Sequence, residues 1–111
     1  MAIQIKQLGS GTIAAGGTLD PVGSAVGANK TRIVKTIRLV NAAPSASATI
    51  NVYLNAGSGD VLISPSNLVL ASQALYADDR EITMETGHKL KITVVNAGPV
   101  HYVVSGIERD V

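Results

Sequence analysis

The chain contains no cysteine, no phenylalanine and no tryptophan, and its aromatic side chains are three tyrosines. Without thiols there is no disulfide framework, no zinc ribbon and no cysteine nucleophile, and the redox compartment is left open. Without Trp or Phe, a sugar cleft would have to stack on Tyr53, Tyr76 or Tyr102 alone, and base stacking on a single strand has little to use. Charge is sparse as well: 15% of the residues are charged, nine basic against eight acidic, for a net charge of +1. That balance argues against a nucleic-acid grip built on a positive field. No apolar run approaches the roughly 18 residues that cross a bilayer. The opening Met1-Ala-Ile-Gln-Ile-Lys-Gln-Leu-Gly-Ser10 lacks a signal-peptide core and cleavage site, so it is expected to be mature sequence made in a cytoplasm. Neither nucleic acid nor membrane is an expected partner.

What the chain does have is apolar content: 46% of 111 residues, with a mean hydropathy of +0.29. This is enough for one hydrophobic core and too apolar for disorder. Small monomers expose few large apolar patches, so a subunit interface is expected to absorb the surplus.

Two textures alternate along the chain. Gly9 to Asn29 is rich in Gly, Ala, Ser and Thr around the turn-like Asp20-Pro21, which suits an extended arm with a short strand near Thr12 to Ala14. From Thr31 to Asn41 a β-branched run reads as the best strand. Ala48, Ile50, Val52 and Leu54 then alternate with Thr49, Asn51, Tyr53 and Asn55, one apolar face against one polar. The stretch from Val61 to Ala77 is ambiguous between strand and a short helical turn. Glu81 to Glu85, His88 to Asn96 and Val100 to Glu108 alternate again, and the last two read as a hairpin turned by Ala97-Gly98-Pro99. Six to eight short strands without an amphipathic helix predict an all-β chain: an antiparallel β-sandwich, jelly-roll or immunoglobulin-like, of residues 30–111, preceded by an extended Gly/Ala-rich N-terminal arm of residues 1–29.

Candidate chemistry is thin. Gly23 to Thr31 imitates a phosphate-binding loop, but Asn29 stands where glycine must precede Lys30, and a strand follows where a helix is needed. His88 and His101 have no third and fourth ligand at zinc spacing. No Gly-x-Ser-x-Gly elbow occurs. Asp78-Asp79-Arg80-Glu81 with Glu85 lacks the spaced loop of a calcium site and reads as a solvated turn. Lys30, Arg32, Lys35 and Arg38 crowd one strand; strict alternation places Arg32 and Arg38 on one face and Lys35 on the other, paired with acids of a neighbouring strand or subunit. No catalytic residue, metal site or cofactor is expected, and the chain does not read as an enzyme.

Two pairs of segments carry a resemblance. Arg32-Ile-Val-Lys-Thr-Ile-Arg-Leu-Val-Asn41 followed by Ala48-Thr-Ile-Asn-Val-Tyr-Leu54, and Glu81-Ile-Thr-Met-Glu-Thr-Gly-His-Lys-Leu90 followed by Val100-His-Tyr-Val-Val-Ser-Gly-Ile-Glu108, resemble the strand pairs of small tailed-bacteriophage virion proteins. The likeness runs from Thr31 to Glu108 and is a pattern of strands rather than a catalytic signature. It implies a virion structural protein, assembled in the bacterial host cytoplasm: a capsid decoration (cement) protein, or a tail or head-to-tail accessory protein. A binding module for host-surface glycan or protein is the alternative from another class. The partners so implied are other copies of the chain, with a trimer expected, and the major capsid protein or other virion proteins. Residues 1–29 match no part of that pattern; they are expected to order on docking. Ile3, Ile5, Leu8, Ile13, Leu19, Arg32, Arg38, Tyr53 and Tyr102 are the candidate subunit or capsid contacts.

Overall fold

A computed structural model describes the backbone of residues 3–96 and 99–110 and side chains from residue 7 onward. In chain order the strands are β1 (Ile3–Ile13), β2 (Thr18–Leu19), β3 (Lys30–Asn41), β4 (Ala48–Asn55), β5 (Asp60–Leu62), β6 (Leu68–Leu70), β7 (Leu75–Asp78), β8 (Ile82–Met84), β9 (Lys89–Asn96) and β10 (Val100–Asp110). Sheet I runs β1-β10-β3-β7, with β8 beside β7 on β3. Sheet II runs β2-β9-β4-β5, with β6 beside β5 on β4. All the pairings are antiparallel. Counting β5 with β6 and β7 with β8 as interrupted single strands leaves eight, ordered 1-8-3-6 and 2-7-4-5. This is the nested order of a jelly-roll sandwich, which decides between the two sandwich types expected.

The core lies between the sheets. Val34, Ile37 and Leu39 of β3 and Val104 of β10 meet Ile50 and Val52 of β4 and Ile92 and Val94 of β9, all buried. Sheet II follows its sequence alternation closely: Leu90, Ile92 and Val94 point inward and Lys89, Lys91 and Thr93 outward.

The nested order corrects the expected hairpin. β9 and β10 are consecutive in sequence but lie in different sheets, because a jelly roll carries most connections across the sandwich; β10 pairs with β1 and β3 instead. Residues 61–77 contain three short strands and no helix.

The glycine-rich beginning is more structured than its composition implies. β1 pairs with β10 along its length, and residues 17–26 run antiparallel along the edge of β9. There the Val94 amide donates to the Gly17 carbonyl, Val22 to Leu90 and Val26 to His88. Val22 and Val26 are core residues. The small residues follow from close approach rather than looseness: a Cβ on Gly9 would lie 3.2 Å from the Gly23 nitrogen, and one on Gly23 would collide with the Leu8 carbonyl.

A β-bulge corrects the expected phase of β3. Ser105 pairs with Thr36 but Gly106 with Val34, so Lys35 is an extra residue. The inward set therefore runs Arg32, Val34, then Ile37, Leu39 and Asn41. Arg32 is buried and Arg38 exposed on the opposite face, contrary to the strict alternation that put them together.

Asn41 ends β3 as a fully buried polar residue. Its Nδ2 donates to the carbonyls of Ala46 (2.8 Å), Leu70 (2.9 Å) and Ala71 (3.3 Å), and its Oδ1 accepts from the Ala43 amide (3.0 Å). One side chain thus ties the β3–β4 loop to the end of β6. Asn41→Leu is expected to cost about 2–3 kcal/mol, because buried backbone groups lose their partners; urea unfolding checks this, and a change under about 0.5 kcal/mol contradicts it.

Candidate functional site

The basic strand is largely neutralised within the molecule. The Arg32 Nε and Nη2 donate to Glu108 Oε2 at 3.1 and 2.9 Å, while Nη1 donates to the Ser24 carbonyl at 2.7 Å and Nη2 to the Ser24 hydroxyl at 3.3 Å. Arg32 and Glu108 are only 5% and 6% exposed. The guanidinium therefore joins sheet I to the segment that borders sheet II and closes that side of the sandwich. Lys30 pairs with Asp110 at 2.8 Å and Lys35 with Glu81 at 2.7 Å. These are the neighbouring-strand pairings expected. For Arg38 no ion pair is found among the described residues.

The two outer faces differ. On sheet II the outward Lys91 and Asp60 satisfy each other around Tyr53, which has Leu62 beside it on β5: Lys91 Nζ donates to Asp60 Oδ2 at 2.8 Å and lies 5.2 Å from the Tyr53 ring centroid. Lys89 pairs with Asp20 at 3.0 Å. Aliphatic side chains stand at the margins of this face, with Val69 63% and Leu62 37% exposed and Val95 also exposed at the end of β9; Val61, exposed as well, lies in register with the inward Leu54. On sheet I the outward positions of β3 and β10 mix apolar and polar groups in the centre of the sheet: Ile33 beside Ile107, Thr36 beside Ser105, Val103 beside Arg38, Val40 beside His101. Leu75 of β7, 56% exposed, extends the row of Val40.

The Lys91–Asp60 pair gives a pH prediction. The hydrogen bond from Lys91 holds the Asp60 carboxyl below the usual carboxylate range, against a smaller opposing effect of burial, and the same bond to Asp60 raises Lys91. A lowered folded-state value means that the unfolded chain binds more protons in the acid window. The contribution is thus present above about pH 4 and lost as the pH falls through the folded value. The raised lysine contributes at neutral pH and loses its part only as the pH rises through its own folded value. Melting curves of Asp60→Asn should fall less steeply with acid than those of the native chain; identical slopes would contradict the pairing.

The candidate contact residues are not brought together. Ile13 and Tyr102 are core residues, and Leu8 and Leu19 pack against that core, partly buried. Arg32 is committed to Glu108 and Ser24, Tyr53 lies beneath Lys91, and Arg38 is exposed on sheet I. The side chains of Ile3 and Ile5 fall outside the described residues. What the sequence reading passed over is the outer face of sheet I. Its signal was available: Ile33-Val34 and Val103-Val104 are adjacent apolar pairs, and strands apolar at successive positions are those covered on both faces.

Chemistry-bearing residues do not converge either. Asn29, of positive φ (58°), leads into β3, so no helix follows Lys30. His88 accepts the Glu85 amide at its Nδ1 in the turn before β9, whereas His101 lies on β10 in the other sheet. Among the described residues no group of three His, Cys, Asp or Glu is placed to hold a metal. An open groove of about 350 Å³ is lined by Asn29, Lys30, Thr31, Glu85 and Thr86, but the Lys30 ammonium is engaged by Asp110. No helix of the described residues is long and apolar enough to cross a membrane.

No family model matches the chain, and no curated protein does. Among solved structures, the NLP-core of Drosophila, described for its pentamer formation and histone binding, is similar at a TM-score of 0.53, with 16% identity over 92% of this chain and 98% of that one. The likeness is one of fold. The virus-like particle of extra small virus from the giant freshwater prawn Macrobrachium rosenbergii aligns over 97% of this chain and 79% of that one, with a TM-score of 0.39 and 13% identity.

Proposed function

We propose that the chain is a non-catalytic structural protein of a tailed-bacteriophage virion, and more specifically a capsid decoration protein that self-associates and binds the assembled head shell, resisting the pressure of packaged DNA. The observation that carries this reading is the apolar surface left exposed on both sheets, at Leu75 and Val103 on one and at Leu62, Val69 and Val95 on the other. A small domain with aliphatic side chains on two opposed faces is suited to contacts on both. The resemblance of residues 31–108 to small phage virion proteins supplies the kind of partner. Internal ion pairs and the Asn41 network favour a rigid part, which can join an assembly at little ordering cost. Histone binding, named for the Drosophila protein, is not carried over, since eight acidic residues against nine basic provide no acidic field for a basic partner.

The test is co-sedimentation of the purified chain with shells of the encoding phage that lack it. Saturable binding to shells supports decoration. Binding to tails or necks but not shells would favour the accessory role, and binding to neither would overturn the reading.

A further inference from the structure

We propose that the outer face of sheet I is a two-fold interface on which a second copy of this chain packs, sheet against sheet. The inference deepens the self-association part of the proposed function and rests on it. On the two central strands of sheet II the alternate, outward positions are polar or tyrosine, with Lys89, Lys91 and Thr93 on β9 and Thr49, Asn51, Tyr53 and Asn55 on β4, and the exposed aliphatic side chains Leu62, Val69 and Val95 stand at the margins. Sheet I differs at its centre. Among the outward positions of its two central strands, Ile33 and Val40 on β3 and Val103 and Ile107 on β10 stand with Thr36, Arg38, His101 and Ser105, the mixture of apolar and polar groups that interfaces use.

The face has the size that a stable pair requires. Four strand positions at about 4.8 Å spacing, and strands of 11 and 12 residues at about 3.3 Å per residue, give a surface on the order of 700 Å². Standard interfaces bury about 800 Å² per partner.

The face is also complementary to itself. β3 and β10 are neighbours in register, with Ile33 beside Ile107, Arg38 beside Val103 and Val40 beside His101. A two-fold axis lying between the copies, parallel to these strands and midway between them, exchanges β3 with β10. Ile33 then meets Ile107 of the second copy, and Arg38 lays its aliphatic stem on Val103 of the second copy rather than facing another arginine. The copies are thus arranged back to back, and the margins of sheet II remain open to another partner.

Light scattering and sedimentation velocity over about a hundredfold range of concentration test this, with circular dichroism confirming that each variant is folded. The native chain is expected to have the mass of two copies or an even multiple. Val103→Arg, which sets an arginine against Arg38 across the axis, should weaken association at least about tenfold. Adding Arg38→Glu to it should restore association, and Val69→Arg on sheet II should leave it unchanged. A trimer, a monomer throughout, or a pair indifferent to Val103→Arg overturns this interface. Because shell binding is read separately, a chain that sediments with shells yet shows any of those results loses the interface and keeps the virion role. A two-fold pair that ignores virion parts does the reverse.

Discussion

Replacing Arg32 with alanine is expected to cost about 3–5 kcal/mol of folding free energy, the range for breaking a buried ion pair from one side, and to lower the melting temperature by on the order of 15 °C. The change leaves the buried Glu108 carboxylate without its guanidinium and removes the donors to the Ser24 carbonyl and hydroxyl. The segment that lines the edge of β9 then loses its tie to sheet I, so local exchange of the Val22 and Val26 amides should accelerate as well. Arg32→Met combined with Glu108→Leu should recover more than half of the loss, because neither residue is then charged and both fill volume. Thermal and urea unfolding of the two single variants and the double variant measure this. Single variants within about 1 kcal/mol of the native chain would show that the pair is not buried as described.

Gly106→Ala should rank beside it, at about 3 kcal/mol or more. A Cβ at this position would collide with the Ile33 carbonyl oxygen and lie 3.1 Å from the Lys35 nitrogen. Both are backbone atoms of the neighbouring strand, which no rotamer change can move. The methyl group can be accommodated only by separating β10 from β3 at the bulge, and these two strands hold the centre of sheet I. Gly57→Ala is the contrast: nothing lies within 4 Å of its Cβ position, and only its positive φ (102°) resists, for a cost of about 1 kcal/mol. Equal and small losses in urea for the two variants would contradict the placement of the bulge.

The bulge also marks where the sequence stops being legible. Period-two alternation depends on an unbroken ladder, and sheet II has one through most of its central pair, so its inward residues on β4 and β9 could be read directly. In β3 the extra Lys35 reverses the phase, and nothing in the local run Arg32 to Asn41 announces it. Its cause is the small Gly106 on the partner strand, far along the chain. Strict alternation therefore groups Arg32 with the exposed Arg38, although its partner Glu108 lies 76 positions away. β1 was hidden for a related reason. Gly9 is small because Gly23 comes close, so its low strand propensity records packing and not mobility. The β9–β10 hairpin failed because alternation identifies strands but not the sheet each one joins, and in a jelly roll neighbours in sequence usually part. Of the candidate contacts, Ile13 and Tyr102 belong to the core and Arg32 to a buried ion pair, whereas the outward apolar positions of β3 and β10 show in the sequence only as the adjacent pairs Ile33-Val34 and Val103-Val104.

The same distinction bears on function. Three of the four basic residues crowded on β3 have a structural occupation, in the Lys30, Arg32 and Lys35 pairs, whereas exposed valines and leucines remain without one. This is the expected surface of a component whose partners are macromolecular.

The central claim is that the chain is built into a particle. Quantitative mass spectrometry of gradient-purified particles, from the host that produces the chain, tests it most directly. The account predicts an 11.4 kDa polypeptide present in fixed molar ratio to the shell protein across the particle peak. Its absence from that peak, with the chain abundant in the soluble lysate, would contradict the account.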